Sequence, residues 1–256
     1  MRVLAVLSRK LMLLIGVGLP FCSLHADAET IEEVVVTAEL RAVAVNDVAG
    51  SVSLLIPDDT ADVVNHLEEM LGRAVNVNIA SGASRARFVQ MRGIGERGQF
   101  AEPLNASVGL QIDGVDFSGV GTAATLFDVS QIEVLRGPQG TLYGANALAG
   151  LINVVTPTST PDWQSRLQFD VGNYGSQGAG AVISGPLNES VGLRLSARKY
   201  RDNGFIDNTF LQSGRTDKHD ESTLRVKLDG AGDALNWQLA AGVIDVANGY
   251  DAFSLD

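Results

Sequence analysis

Three glycines at Gly93, Gly95 and Gly98 spell G-x-G-x-x-G inside MRGIGERG, and Asp113 stands twenty positions after the first of them. In a dinucleotide enzyme that spacing lets a turning backbone approach the pyrophosphate while the acid holds a ribose hydroxyl. Such chemistry also needs a helix opening at the last glycine, so that its N–H groups meet the phosphate. Gly98 is instead succeeded by QFAEPLNASVG, with Pro103 and no helical apolar spacing. Asp113 precedes Gly114 within VGLQIDGVDFSG, where Asp-Gly between alternating apolar residues already reads as a hairpin turn. A nucleotide-binding enzyme built on Gly93–Gly98 is therefore the weaker reading. Other catalytic patterns are thinner still. His66 and His219 have no zinc-ligand spacing, RGPQGTLYG lacks the GK[ST] ending of a phosphate loop, and no G-x-S-x-G occurs. No enzymatic activity, metal or cofactor is expected.

The elements around these residues are those of an exported, strand-rich protein. Charged residues make up 19% of the chain, aromatics 6%, and there are 28 glycines, a mixture unlike a helical bundle or an acidic disordered tail. Residues 1–28 read as a secretory signal peptide. Arg2, Arg9 and Lys10 form a basic leader, Leu11 to Leu24 is an apolar core broken by Pro20, and Ala26-Asp27-Ala28 has the small-x-small cleavage form. The apolar run is too short for a spanning helix. Its removal would take away Cys22, the single cysteine, so disulfides are not expected. It would also remove three basic residues and one acidic one, moving the net charge from −11 to about −13 and arguing against nucleic acid as a partner.

Residues 29–47 hold a β-branched run, EEVVVTA, that is either a first strand buried in the next domain or an exposed strand awaiting another sheet edge. Residues 48–157 read as a compact α+β domain. Asp58, Asp59 and Thr60 offer caps for a helix carrying Val63, Val64, Leu67, Met70 and Leu71 and ending at Gly72. Strands are expected at VNVNIA, FVQMRG, the VGLQIDGVDFSG hairpin, QIEVLRG after a possible cap at Asp128, and LINVVT. From 158 to 256 the texture becomes strict alternation. Leu167, Phe169 and Val171 interleave with Arg166, Gln168 and Asp170, and Leu193 and Leu195 with Arg194 and Ser196. A membrane β-barrel with lipid outside and water inside produces this pattern, as does a soluble one-sided sheet. Trp163, Tyr174, Tyr200 and Trp237, near strand ends, suit membrane interfaces.

EEVVVTA, VQMRG, VGLQIDGV and above all FDVSQIEVLRGPQGTLYGANALAGLINVVT together resemble the TonB-dependent outer-membrane receptors of Gram-negative bacteria. The resemblance implies a plug domain at 48–157 followed by the first antiparallel strands of a transmembrane β-barrel, a 22-stranded barrel in that family and incomplete here. It implies TonB-energised uptake of a scarce nutrient, most often a ferric siderophore, with cobalamin, haem or a glycan as alternatives. Expected partners are the TonB periplasmic domain, the nutrient and outer-membrane lipid. Glu33, Val34, Val35, Val36 and Thr37 match the TonB box, which favours the exposed-strand alternative. Arg92 and Arg136 match arginines that lock the plug to glutamates of the barrel wall, where a guanidinium can engage carboxylates bidentately. By analogy with outward plug loops, Arg85, Arg87, Gly98, Gln99, Phe100 and Phe117 are expected to meet the nutrient.

Only 99 residues follow Pro157, enough for about five strands, and five would leave a lipid-exposed edge. The chain is therefore expected to be the front part of a receptor, either a fragment or a truncated gene product. Expressed by themselves, residues 1–256 should neither insert into bilayers nor take up ligand, and ligand accumulation by that chain in vesicles would overturn this expectation.

Overall fold

The structure is a computed structural model describing residues 35–37, 43–57, 64–80, 85, 88–96, 105–120, 125–209, 212–214, 216–232 and 235–249. The expected signal peptide at 1–28 lies outside them. β1 (Val35–Val36) pairs antiparallel with β2 (Val43–Ala44), and β3 (Ser51–Leu55) opens the main sheet of the inner domain. α1 (Leu67–Leu71) comes next, buries Leu67, Met70 and Leu71, and starts later than the apolar spacing predicts. The reason is tertiary. His66 is held in a β-bridge with Thr125 and accepts the Glu68 N–H as the cap. The caps expected at Asp58, Asp59 and Thr60 lie outside the described residues.

β4 (Val77–Ala80), β5 (Phe88–Met91) and β6 (Ile94–Gly95) make a small antiparallel sheet. Arg92 and Gly93 are the two-residue turn between β5 and β6, both at positive φ (54° and 82°), the pattern of a type I′ hairpin. Residues 94–96 after this turn are not helical, and Gly98 lies outside the described residues. A Cβ at Gly95 would meet the backbone of Val89 and Gln90, so this glycine serves a close strand crossing.

β7 (Val108–Ile112) and β8 (Val115–Asp116) form the expected hairpin around Asp113-Gly114, again with positive φ at both. β9 (Gln131–Arg136), the short α2 (Gly140–Tyr143) and β10 (Gly150–Val155) complete the domain. The strand order is β3-β9-β10-β7-β8, with β10 parallel to β7 and the other pairs antiparallel. The two-residue period divides the apolar residues between two clusters. Ile132, Val134, Ile152 and Val154 pack with α1, Met91 and Leu110, whereas Leu135 and Leu151 pack with Val36. β10 reads as a near-continuous apolar run because it is central and covered on both faces.

The second sheet is wholly antiparallel. β11 (Gln164–Val171), β12 (Gln177–Asn188) and β13 (Val191–Arg201) are followed by the small hairpin of β14 (Asp207–Asn208) and β15 (Ser213–Gly214), then by β16 (Asp220–Ala231) and β17 (Asn236–Val246). The order is β11-β12-β13-β16-β17, with a register shift in β12 between Pro186 and Asn188, where a proline is tolerated. Its orientation decides between the two readings of the alternation. Leu167, Phe169 and Val171 are 72%, 77% and 88% exposed, while Ser184, Ser196, Glu221, Thr223 and Lys227 are buried against the inner domain. A soluble sheet would turn the other face inward. Along the chain only 189–190 separate β12 from β13 and 232–235 separate β16 from β17 at one end, whereas 202–219 separate β13 from β16 at the other. In outer-membrane barrels short turns are periplasmic and long loops external.

Trp163 and Trp237 lie at the short-turn end, each ring filling the space beside a glycine of the adjacent strand, Gly185 and Gly230. Tyr200 departs from the interface reading. It lies on the inward face, and its hydroxyl donates to Asp202 at 3.0 Å.

At Gly150 a Cβ would collide with Met91 Sδ and the Leu135 carbonyl. Gly150→Ala should destabilise the inner domain by about 1–3 kcal/mol through overpacking, measured as a lower urea midpoint of the purified native-length protein.

Candidate functional site

The functional surface is the seam between the inner domain and the second sheet, and β16 organises it. Its inward residues meet Arg85, the Thr125–Asp128 segment, Asp113 with Thr156, and Ser159 just after the inner domain. Glu221 accepts two hydrogen bonds from Arg85, Nε to Oε1 at 2.7 Å and Nη2 to Oε2 at 3.2 Å. The Thr223 hydroxyl lies 3.1 Å from that of Thr125. Arg225 donates to the Asp128 carbonyl at 3.4 Å. The Lys227 ammonium lies 3.1 Å from both Asp113 Oδ2 and the Thr156 carbonyl. Asp229 accepts from the Ser159 N–H and hydroxyl at 2.9 and 2.7 Å.

The neighbouring strands add a second row. Arg194 grips Asp128 bidentately at 2.9 and 2.5 Å, with Arg166 at 3.5 Å from the same carboxylate. Arg198 donates to Asn65 at 2.5 Å and lies 2.9 Å from Asp170. The Phe127 ring sits against Gly180, with the Arg166 and Arg198 guanidiniums 5.5 and 5.2 Å from its centroid. Beside this cluster is a cavity of about 390 Å³, lined by Phe117, Asp113, Asp128, Arg194 and Arg225.

The predicted site residues separate into distinct places. Glu33 and Val34 lie outside the described residues. Val35 to Thr37 are not a free strand, which corrects the exposed reading. Val36 is fully buried on Leu135 and Leu151, and Val35 accepts a hydrogen bond from Gln131 at 2.9 Å. Thr37 donates its N–H and hydroxyl to Glu133 Oε1 at 2.7 and 2.9 Å. The physical reason is that Glu133 is fully buried on the same sheet face. Thr37, Gln131 (2.6 Å) and Asn153 (3.0 Å) supply the donors a buried carboxylate needs.

Arg136 donates to the Val75 carbonyl at 2.8 Å and to Ser53 at 2.9 Å, both within the inner domain. Burial, and then the neighbouring Arg92 cation, push its guanidinium below the ordinary arginine range. The structure thus brings the two arginines together, and among the described residues Arg136 makes no ion pair.

Arg85 is a correction. It is 5% exposed, its fork engages Glu221, and its Nη1 donates to Glu68 at 3.1 Å, so it is turned inward and not toward an external ligand. Burial works against the charge, but Glu221 and then Glu68 outweigh it and raise the Arg85 pKa. Arg87, Gly98, Gln99 and Phe100 lie outside the described residues. Phe117 is partly buried against the core and faces the internal cavity.

Asp128 is no helix cap. At a positive φ of 58° it turns its carboxylate to the arginines of the wall. Sequence reasoning missed Asp128, Glu133, Glu221 and Lys227 as contact residues. The two-residue period marked the inward faces of β13 and β16, but nothing in it assigned their partners.

Comparison with known proteins identifies this arrangement. Residues 44–151 match the family described as the TonB-dependent Receptor Plug Domain. The chain carries a TonB-dependent receptor plug domain. The plug is followed by part of such a receptor's barrel. It is 31% identical over 169 residues to the pesticin receptor of Yersinia enterocolitica, a match covering 64% of this chain and 24% of that receptor. The ferric yersiniabactin uptake receptor FyuA from Yersinia pestis superposes with a TM-score of 0.61 at 28% identity, over 75% of this chain and 30% of FyuA. The pyoverdine receptor FpvA from Pseudomonas aeruginosa gives 0.67 at 16% identity, over 83% and 30%. The chain thus spans about a quarter to a third of the length of these relatives. TonB-dependent receptors are outer-membrane proteins of Gram-negative bacteria, not enzymes, and the plug and sheet described above are placed in that membrane.

Asp128→Ala would leave Arg194 and Arg166 facing each other without their shared carboxylate. Removing one partner of such a buried group costs about 3–5 kcal/mol. The expected result is a plug released at lower urea than in the wild-type receptor, followed by protease digestion of plug peptides.

Proposed function

We propose that the protein is an outer-membrane receptor that imports a scarce nutrient of the ferric siderophore class, with TonB drawing on residues 33–37 in the periplasm. The observation that carries this reading is the seam itself. A plug held to its wall by ion pairs and hydrogen bonds, and not by a fused apolar core, suits a domain that must be displaced and returned within one receptor. Two matched structures are described as a ferric yersiniabactin uptake receptor and as a pyoverdine receptor, which supports iron chelates as the ligand class.

The residues fit the parts of such a cycle. Residues 1–28 would export the chain, 29–47 would carry the TonB box and linker, 48–157 the plug, and 158–256 the first barrel strands. Val35 to Thr37 would leave Glu133 and β2 to add as a strand to TonB, a mode in which main-chain hydrogen bonds supply the affinity. Arg92 and Arg136 lie side by side, and paired cations call for an anion. Barrel glutamates beyond this chain would supply it. Arg87, Gly98, Gln99 and Phe100 remain the proposed nutrient contacts.

The test uses cells producing the native-length receptor under iron starvation. Expression should rise when iron is withheld, and absence of induction would favour a non-iron nutrient. Val35→Pro should keep chelate binding at the cell surface and abolish uptake of radioactive iron, because proline removes a donor and distorts the strand TonB must pair with. Uptake at the wild-type rate would sink the assignment of residues 33–37.

A further inference from the structure

Arg85 holds the outer end of the seam. It lies in the connection between β4 and β5, and its guanidinium gathers carboxylates from two separate bodies: Glu221 of the wall at 2.7 Å, and Glu68 and Glu69 of α1 at 3.1 and 3.7 Å. Glu221 is itself fixed from the wall side. Asn248, just beyond β17, donates to its Oε1 at 2.7 Å while accepting the Asp220 N–H at 2.9 Å. The other end of the same connection is also tied, since Asp202 accepts from the His219 N–H at 3.1 Å and contacts its ring at 2.9 Å. Glu221 therefore stands at the root of the long 202–219 connection and of the segment after β17. Those are the external ends of the wall.

We infer that Arg85 is a positioning residue for nutrient binding: it sets the plug's β4–β5 connection and α1 against the roots of the external barrel loops without itself touching the ligand. The inference rests on the receptor reading above. Its chemistry is that of a planar fork. One guanidinium reaches two carboxylates on different bodies at once, which a lysine's single ammonium on a flexible stem cannot do with fixed geometry. Without Arg85 the ion pairs that join α1 to Glu221 of the wall would be lost.

The experiment has one arm that needs no ligand and one that does, both on the native-length receptor in outer membranes. In the first, proteinase K cleavage within residues 81–87 is followed by mass spectrometry for wild type, Arg85→Gln, Glu221→Gln and the double variant. Each single variant should be cut about tenfold faster, and the double variant no faster than the worse single, as expected of two groups acting as one unit. Arg85→Lys should recover only part of the protection. Wild-type cleavage in Glu221→Gln, or additive effects in the double variant, would overturn the inference.

In the second arm the probe is ferric yersiniabactin. Both single variants should raise the half-saturating concentration for uptake by about tenfold with the maximal rate retained. An effect of Arg85→Gln with none of Glu221→Gln would make Arg85 a direct ligand contact and also overturn it. Failure of the wild type to import the probe would count against the proposed ligand class, and the protease arm would still decide the tether.

Discussion

A strand that turns charged residues inward commits whatever it encloses to meeting them. β16 presents Glu221, Thr223, Arg225, Lys227 and Asp229 inward at two-residue intervals; the first four meet plug groups at Arg85, Thr125, Asp128, Asp113 and Thr156, and Asp229 meets Ser159 just after the plug. No apolar contact could substitute, because a buried ion left without its partner costs several kcal/mol. The plug's fold is arranged around this demand. Asp128 and Asp113 adopt positive φ, which sharp turns tolerate best in Asn, Asp and Gly, so that their carboxylates leave the sheet and reach the wall. Outside, the same strands satisfy the opposite solvent, with Leu167, Phe169, Val171, Leu239 and Val243 exposed.

The plug core obeys ordinary rules by contrast. β9 and β10 divide their apolar residues between two clusters, one under α1 and one under Val36. The buried Glu133 ties the first strand to the sheet through Thr37. Four donors converge on this carboxylate: the Thr37 N–H and hydroxyl, Gln131 and Asn153. Among the described residues, β1 and β2 pair at Val35–Ala44 and Val36–Val43.

Much of the architecture was legible from the chain. The alternation in β11, β13 and β16 marked a two-faced sheet, and Asp113-Gly114 marked the β7–β8 hairpin of the plug, because period and turn chemistry are local properties. What could not be read is what side chains do across long separations. Arg85 and Glu221 are 136 positions apart, Arg194 and Asp128 are 66 apart, and neither pairing leaves a mark on local pattern. The same limit explains the error at Val36. A β-branched run beside acidic residues has equal reason to be free or buried, and the uncovered face of Leu135 and Leu151 made the choice. The glycines at Gly93 and Gly95 have local causes as well. A hairpin turn and a close crossing each require glycine independently, and their spacing coincides with a phosphate loop.

The tryptophans beside Gly185 and Gly230 bear on more than strand packing. They stand at the short-turn end of the wall, and in membrane proteins indole rings settle at the boundary between lipid and water. The plug in turn is geared to that wall through the teeth of β16, spaced about 7 Å apart. Its depth in the bilayer is therefore not continuously adjustable. A small sliding motion would leave every tooth between partners, so the plug either keeps its depth or disengages along the whole strand.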